Sequence, residues 1–348
     1  MSFTIDYAIV IIYFLVILAV GYFRGRKEHL SDFTVNNRST STIMLVCSNL
    51  STAFGIGSLL GVASEAYRTG ISYGVSVIFV TVLGFALLIW LAPRIKIFGD
   101  KFQAQTLADF FAVKYGVGSS TVASILTIGS FLLSTSVQFI GIASLATVLV
   151  GVSWEIALFL AALVTVAYTS FGGLKNDIAT DFVQFWIIIF VFFSMIPIGW
   201  LKISSSTITQ LPATHFDFFN YGGAVFFFGS LLLGSLGNLT HMDTWQRVYS
   251  AKSSSIIRKA FTISFLISIP LYIAPIIFGL WAKQLFPDIN PEQGLFTLMK
   301  ELLPVGFLGL GFSAIFAAAM SSIDSAIVAG STSITNDIYA KFVHKNAS

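Results

Sequence analysis

Nine apolar stretches of about 20 residues or more divide this chain. A helix needs about 20 mostly apolar residues to cross a bilayer, and only helices and closed barrels can pair all their backbone polar groups there. The stretches are 4–23, 41–67, 72–93, 117–150, 153–171, 178–201, 219–240, 260–282 and 304–335. We therefore predict an all-α polytopic membrane protein with about nine transmembrane helices, and a short amphipathic helix at 106–114.

The composition excludes a water-soluble domain. Only 10% of the residues are charged, 56% are hydrophobic and the mean hydropathy is +0.87, whereas soluble domains carry about 25% charged residues. The net charge of +3 comes from short basic clusters beside apolar stretches, a pattern typical of membrane anchoring rather than of nucleic-acid binding. Asp6 lies at the start of the first stretch and Arg24 follows its end, the reverse of a signal peptide's charge order, so we expect a retained helix.

The distribution of basic residues predicts an orientation. With the N-terminus outside, 15 of the 19 Lys and Arg residues, among them Lys96 and Arg247, fall in inner loops and 4 in outer ones. Cytoplasmic loops are enriched in Lys and Arg. We therefore expect a multi-pass protein of the plasma or inner membrane with an outer N-terminus and a cytoplasmic C-terminus.

The stretch 41–67 has Gly55 and Gly57 in its middle. One interpretation is close helix packing through small residues such as Gly57 and Gly61. The other is an unwound break whose carbonyls face a cavity, as in transporter ion sites. The sequence leaves both open.

The last stretch has a small and polar face. At helical spacing Ala318, Ser321 with Ser322, Ser325 and Thr332 share one side, and bulky apolar residues occupy the other. Hydroxyl groups cannot face lipid cheaply, so this face is expected to meet other helices or water.

Two carboxylates lie at membrane depth, Asp181 and Asp324. An ionised carboxylate there costs several kcal/mol unless it is paired, hydrated or bound to a cation. For Asp181 the alternative is a carboxylate near the end of its helix that reaches water.

Several stretches, in order along the chain, resemble the sodium/solute symporter family. YTSFGGL at 168–174 with TDFVQ at 180–184 is similar to the loop and start of the family's fifth core helix. WQRVYSAK at 245–252 resembles its intracellular Gln-Arg signature, and FAAAMSSIDS at 316–325 its eighth core helix. The family holds sodium-coupled transporters of sugars, sialic acid, proline, pantothenate, choline and monocarboxylates.

The resemblance implies a LeuT-like inverted-repeat fold, formed as one transmembrane domain over 1–348. Stretch 4–23 is then an extra N-terminal helix, 41–201 the first repeat with core helices one to five, and 219–335 a partial second repeat with core helices six to eight. The second repeat is expected to be incomplete, because the sequence stops at Ser348.

The resemblance also implies a sodium site. Its ligands would be the main-chain carbonyls of Ser51, Phe54 and Ala318 and the hydroxyls of Ser321 and Ser322. Neutral oxygens suit a hard monovalent ion that must be released again. Na⁺ would be the coupling ion, with no organic cofactor.

Further sites follow from the resemblance less directly. Asp181, Asp324 and Ser325 match positions of a second sodium site, although a proton could compete there. Ser58 matches a position that contacts solute in some members, and Gln138 is a buried amide of the type that binds a polar solute. Neighbouring helices could equally satisfy both side chains.

The expected function is sodium-coupled symport of a small polar organic solute, such as a sugar, sialic acid, amino acid or carboxylate, by alternating access. The solute and the bilayer are the expected partners. The alternatives are a symporter-like membrane sensor and a transport-incompetent fragment. A membrane enzyme is disfavoured, because the four histidines lie in predicted loops or tails and form no metal-binding or triad pattern.

Overall fold

The computed structural model describes residues 3–25, 30–169, 172–203 and 211–343, which are almost entirely helical. Residues 170–171 of the fifth predicted span and the tail 344–348 lie outside this part. The helices are α1 (Phe3–Gly25), α2 (Leu30–Val35), α3 (Thr42–Ala53), α4 (Ile56–Thr69), α5 (Ser72–Phe102), α6 (Leu107–Tyr115), α7 (Val117–Val150), α8 (Trp154–Thr169), α9 (Gly173–Lys202), α10 (Gly223–Gly237), α11 (Met242–Ser250), α12 (Ser254–Leu285), α13 (Gly294–Leu302) and α14 (Phe307–Thr332), which continues as a π-helix over Ser333–Val343.

The apolar helices follow the predicted stretches. Within the described residues six helices are long and apolar enough to cross a membrane, and the bent pairs α3–α4 and α10–α11 raise this to up to 8 if each pair is one span. The apolar part of α8, Trp154–Ala167, is shorter. The multi-pass membrane architecture is confirmed, and the count of nine spans stays a prediction.

Helix ends differ from the predicted bounds. α5 continues to Phe102 and α9 begins at Gly173, because hydropathy marks only the apolar part of a helix. The predicted helix at 106–114 is α6. It begins with a capping box in which Thr106 Oγ1 accepts the Asp109 N–H and Asp109 accepts the Thr106 N–H.

α14 lies at the centre of the bundle. In the span that contains it, 94% of the most apolar window is buried, against 22% in the span of α1. α14 packs against α9, α7, α1 and α3. Asp6 of α1 caps its N-terminus, because Asp6 Oδ1 accepts the N–H groups of Gly306 at 2.8 Å and Gly309 at 2.7 Å.

The second predicted span is broken. α3 and α4 meet at 50°, with Phe54 (φ −96°, ψ 47°) and Gly55 (φ −70°, ψ −179°) outside helical geometry. A Cβ at Gly57 or Gly61 would meet no atom within 4 Å in the described part of the chain. The break interpretation is therefore confirmed, and the packing seam through these two glycines is not formed.

A close helix contact occurs instead between α4 and α12. A Cβ at Gly279 would overlap the carbonyl oxygen of Ala63 and lie 2.7 Å from the Ala66 Cβ. The absence of a side chain at Gly279 sets the separation of these two helices.

We expect Gly279→Ala to lower the thermal unfolding temperature in detergent, because overpacking this contact costs about 1–3 kcal/mol. Gly61→Ala is the matched control, since the space around it is open. Equal unfolding temperatures for both variants would contradict the described contact.

Candidate functional site

The break in the second span frees carbonyl groups that α14 approaches. The last carbonyls of a helix lack the N–H donors of a following turn. Ser321 Oγ donates to the Ser51 carbonyl at 2.9 Å, and Ser322 Oγ donates to the Thr52 carbonyl at 2.8 Å. The polar face of α14 thus meets the end of α3.

The Ala318 carbonyl belongs to the same group. It lies 3.1 Å from Ser321 Oγ and 3.3 Å from Ser322 Oγ. The structure therefore brings four of the five predicted sodium ligands together, those of Ser51, Ala318, Ser321 and Ser322. The Thr52 carbonyl, which the sequence did not single out, joins them.

Phe54 contributes its ring to the other side of the break. The ring packs edge-on against Tyr272, with centroids 5.2 Å apart, and against Phe192 at 6.0 Å. Tyr272 also donates its hydroxyl to the Ala53 carbonyl at 2.6 Å. No contact places the Phe54 carbonyl among the other four oxygens, so its role as a ligand stays a prediction.

Arg247 lies at the base of the site, although the sequence analysis placed it in an inner loop. Arg247 lies on α11 and is 1% exposed. Its guanidinium donates to Ser48 Oγ at 2.7 Å, Asp243 Oδ2 at 2.8 Å and Thr52 Oγ1 at 2.6 Å. Lys96, also placed in a loop, is likewise buried. Both positions differ from the prediction, because hydropathy cannot distinguish a buried Lys or Arg from one in a loop at the membrane surface.

Two carboxylates of α9 lie beside this guanidinium. Arg247 Nη2 is 3.4 Å from Asp181 Oδ2 and 3.5 Å from Asp177 Oδ2, and Ser48 donates to Asp181 at 2.5 Å. Asp181 is completely buried about two turns into α9. The interpretation of Asp181 as a carboxylate that reaches water is therefore wrong.

The predicted second-site residues have different hydrogen-bond partners. Asp324 accepts a hydrogen bond from Thr169 at 2.8 Å and lines a narrow crevice with Asp177. Ser325 donates to Asp177 at 3.0 Å and accepts from Arg247 at 2.5 Å. Asp181 and Ser325 thus share Arg247, whereas Asp324 faces Asp177. The second cation or proton site stays a prediction.

A cavity of about 380 Å³ extends from the break to Arg247. Ser58 and Gln138, the predicted solute contacts, both line it. Each also bonds to the break: Gln138 Oε1 accepts the Ile56 N–H at 2.9 Å, and Ser58 donates to the Ala53 carbonyl at 3.1 Å. Both side chains therefore support the broken helix and face the cavity.

Sequence reasoning missed Asp177, Thr52 and the position of Arg247. Asp177 precedes Asp181 by four residues and so shares its helix face, but the predicted span began at 178. A predicted helix that began a few residues before 178 would have included Asp177. Arg247 belongs to the WQRVYSAK motif, yet its partners on α9 and α3 lie about 70 and 200 residues away.

These features define a class of protein. A multi-pass helical bundle in which a discontinuous helix offers carbonyls to hydroxyls of a second helix has the construction of an ion-coupled transporter. Comparison with known proteins gives the family: the profile of the sodium:solute symporter family matches residues 33–348. The chain belongs to the sodium:solute symporter family.

Curated relatives are transporters, not enzymes. The chain is 25% identical to the sodium/pantothenate symporter of Haemophilus influenzae over 331 residues, covering 91% of this chain and 67% of that one. It is 26% identical to the osmoregulated proline transporter OpuE of Bacillus subtilis over 356 residues, covering 97% and 71%.

A solved structure confirms the fold. A Na⁺-coupled sialic acid symporter in a substrate-bound outward-open state superposes with a TM-score of 0.87. The match covers 97% of this chain and 74% of that chain, at 19% identity. The predicted LeuT-like fold is therefore confirmed.

We expect Gly55→Ala to disturb the site. A Cβ there would overlap the Ser322 hydroxyl and lie 2.8 Å from Gln138 Nε2. The variant should lose sodium-dependent thermal stabilisation, measured as the shift in unfolding temperature between sodium and potassium buffers. Gly57→Ala, in open space, should keep it. A full sodium shift in Gly55→Ala would argue against this position of Ser322.

We expect Arg247→Gln to destabilise the fold by about 3–5 kcal/mol, because removing one partner leaves buried carboxylates uncompensated. Arg247→Lys should fall between this variant and the wild type, since an ammonium keeps the charge but not the guanidinium fork. Arg94→Gln, at an exposed arginine that bonds its own helix, is the control. Unfolding temperatures in detergent would decide, and equal values for Arg247→Gln and Arg94→Gln would contradict the buried network.

Proposed function

We propose that the protein carries out sodium-coupled symport of a small polar organic solute by alternating access. The observation that most directly supports this proposal is the contact between the α14 hydroxyls and the freed α3 carbonyls. The proposed Na⁺ ligands are the carbonyls of Ser51, Phe54 and Ala318 and the hydroxyls of Ser321 and Ser322.

The chemistry of these oxygens supports sodium. Na⁺ is a hard cation that takes oxygen ligands, and carbonyls and hydroxyls offer them without a net charge. The two serine hydroxyls now donate to carbonyls. Because a hydroxyl can rotate its hydrogen away, both can turn lone pairs toward an ion.

Such an ion couples two elements of the bundle. Ser51 lies on α3 and Ser321 on α14, so Na⁺ binding favours conformations in which these helices meet. A ligand shifts an equilibrium by its difference in affinity for the two states. The adjoining cavity then provides the solute site, with Ser58 and Gln138 as contacts.

The relatives support this class of solute. Their names include pantothenate and proline, and the superposed structure is that of a sialic acid symporter. All three solutes are small, polar and organic. The orientation with an outer N-terminus belongs to the same proposal.

A second cation site at Asp181, Asp324 and Ser325 is also proposed. Arg247 supplies one positive charge beside the carboxylates of Asp177, Asp181 and Asp243. This group is negative by two charges when all are ionised, which favours a further cation or a proton nearby.

Uptake by proteoliposomes tests the main proposal. An inward sodium gradient should drive accumulation of one of L-proline, pantothenate or N-acetylneuraminate, whereas an equal potassium gradient should not. Uptake driven fully by a proton gradient alone would refute sodium coupling.

We expect the double variant Ser321→Ala with Ser322→Ala to lose the sodium-dependent shift in unfolding temperature and most sodium-driven uptake, because two of the proposed ligands are removed. Ser313→Ala is the control: it removes a buried hydroxyl of the same helix that bonds the Gly309 carbonyl. An unchanged sodium shift in the double variant would refute the ligand assignment.

A further inference from the structure

A groove on the side of the bundle runs along the second half of α1. It encloses about 470 Å³ between α1, the start of α3 and α9. Val16 and Arg24 of α1 both line it, so it extends about 12 Å along this helix at the usual helical rise. Its volume lies within the range of about 300–1,000 Å³ that is typical of small-molecule sites.

All but one of the described side chains that line the groove are apolar. They include Val20 of α1, Met44 of α3 and Val183 of α9. Val16 and Phe23 of α1 also line it and are 42% and 72% exposed. In a bilayer such surfaces meet lipid chains, which are as apolar as leucine.

Arg24 is the one charged side chain that lines the groove. It lies exposed in the last turn of α1, and it forms no hydrogen bond or ion pair in the described part of the chain. Arg26 and Lys27 follow it in the sequence. The groove therefore joins an apolar surface to an exposed positive charge whose hydrogen-bond donors are unused.

The aromatic residues beside Arg24 indicate that this end of α1 lies at the membrane surface. Tyr22 is 45% exposed, and its ring packs edge-on against Phe23 with centroids 5.6 Å apart. Tyrosine is enriched where a span leaves the hydrocarbon, and an arginine there extends its charge to the headgroups. The groove thus begins at headgroup level and continues into the hydrocarbon.

A second apolar cavity beside α1 has the opposite charge. It encloses about 240 Å³, and Asp6 lines it without any Lys or Arg among the described residues. A carboxylate repels an anionic headgroup. Of these two cavities, only the groove at Arg24 combines apolar walls with a positive charge.

We propose that the groove binds one anionic phospholipid, with its phosphate at Arg24 and one acyl chain along α1 toward Val16. Arginine binds phosphate oxygens through paired N–H donors, and basic pockets between transmembrane helices suit anionic headgroups. The lipid contacts α1, α3 and α9 together and so holds α1 against the other two helices. This site is separate from the oxygens proposed for sodium and does not depend on symport.

Thermal unfolding in detergent with added lipid tests the headgroup. Dioleoyl phosphatidylglycerol should raise the unfolding temperature, because a ligand that binds only the folded protein stabilises it. Dioleoyl phosphatidylcholine has the same chains and no net charge and should raise it less. Inorganic phosphate has no chain and should not raise it. An equal rise with both lipids, or a rise with phosphate alone, would overturn the proposal.

Arg24→Gln tests the contact with the phosphate. The variant should need about fivefold more phosphatidylglycerol for the half-maximal shift in unfolding temperature, as expected for one basic residue beside an anionic lipid. Arg94→Gln is the matched control. It removes the same charge from an exposed arginine that donates to the Trp90 carbonyl and does not line the groove. An unchanged lipid dependence in Arg24→Gln would rule out the phosphate contact.

Ala19→Phe tests the contact with the acyl chain. Ala19 is exposed and lines the groove, so a phenylalanine there should fill the groove and abolish the phosphatidylglycerol shift. Ala167→Phe makes the same change at an exposed alanine of α8 outside the groove and should keep the shift. A full shift in Ala19→Phe would show that the lipid chain binds elsewhere.

Native mass spectrometry distinguishes a bound lipid from a second copy of the chain. The wild-type monomer should retain one phosphatidylglycerol, and Arg24→Gln should retain it less often. A dimer without bound lipid would show that a second copy covers the groove and would overturn the proposal.

Discussion

A single guanidinium joins four helices in the interior of this protein. Arg247 of α11 contacts Ser48 and Thr52 of α3, Asp181 of α9 and Ser325 of α14. Charges buried at this depth are tolerated only when their partners are in place. The positions of these helices are therefore set by the same contacts that shape the base of the cavity. The oxygens proposed to bind sodium and the cavity of about 380 Å³ both lie against this network.

The broken helix contacts that network directly and is held in position by it. The Thr52 hydroxyl accepts a hydrogen bond from Arg247, and the Thr52 carbonyl accepts one from Ser322. One residue thus links the charged cluster to the group of oxygens proposed for sodium. On the far side of the break, Tyr272 and Gln138 hold Ala53 and Ile56. The backbone groups of Ser51, Thr52, Ala53 and Ile56 at the break therefore each have a side-chain partner on another helix.

Much of this architecture can be predicted from sequence, because the bilayer imposes simple rules. Apolar length located the spans, mid-span glycines indicated the break, and helical spacing grouped Ser321 with Ser322. Family resemblance then joined them to Ser51. The charged network could not be predicted in this way. Hydropathy averages placed the start of the apolar part of α9 after Asp177. The partners of Arg247 on α3, α9 and α14 are distant in sequence, so only tertiary packing reveals them.

The capping of α14 by Asp6 has a mechanical consequence. At its start, α14 is fastened to α1 through Gly306 and Gly309. Past its end, Asp337 bonds to Thr106 at 2.9 Å. Because α14 is attached to neighbouring elements near both of its ends, it is held in place. Swinging α14 would break both attachments, whereas α3 is followed by the non-helical residues Phe54 and Gly55. A tilt of α3 would leave both attachments of α14 intact.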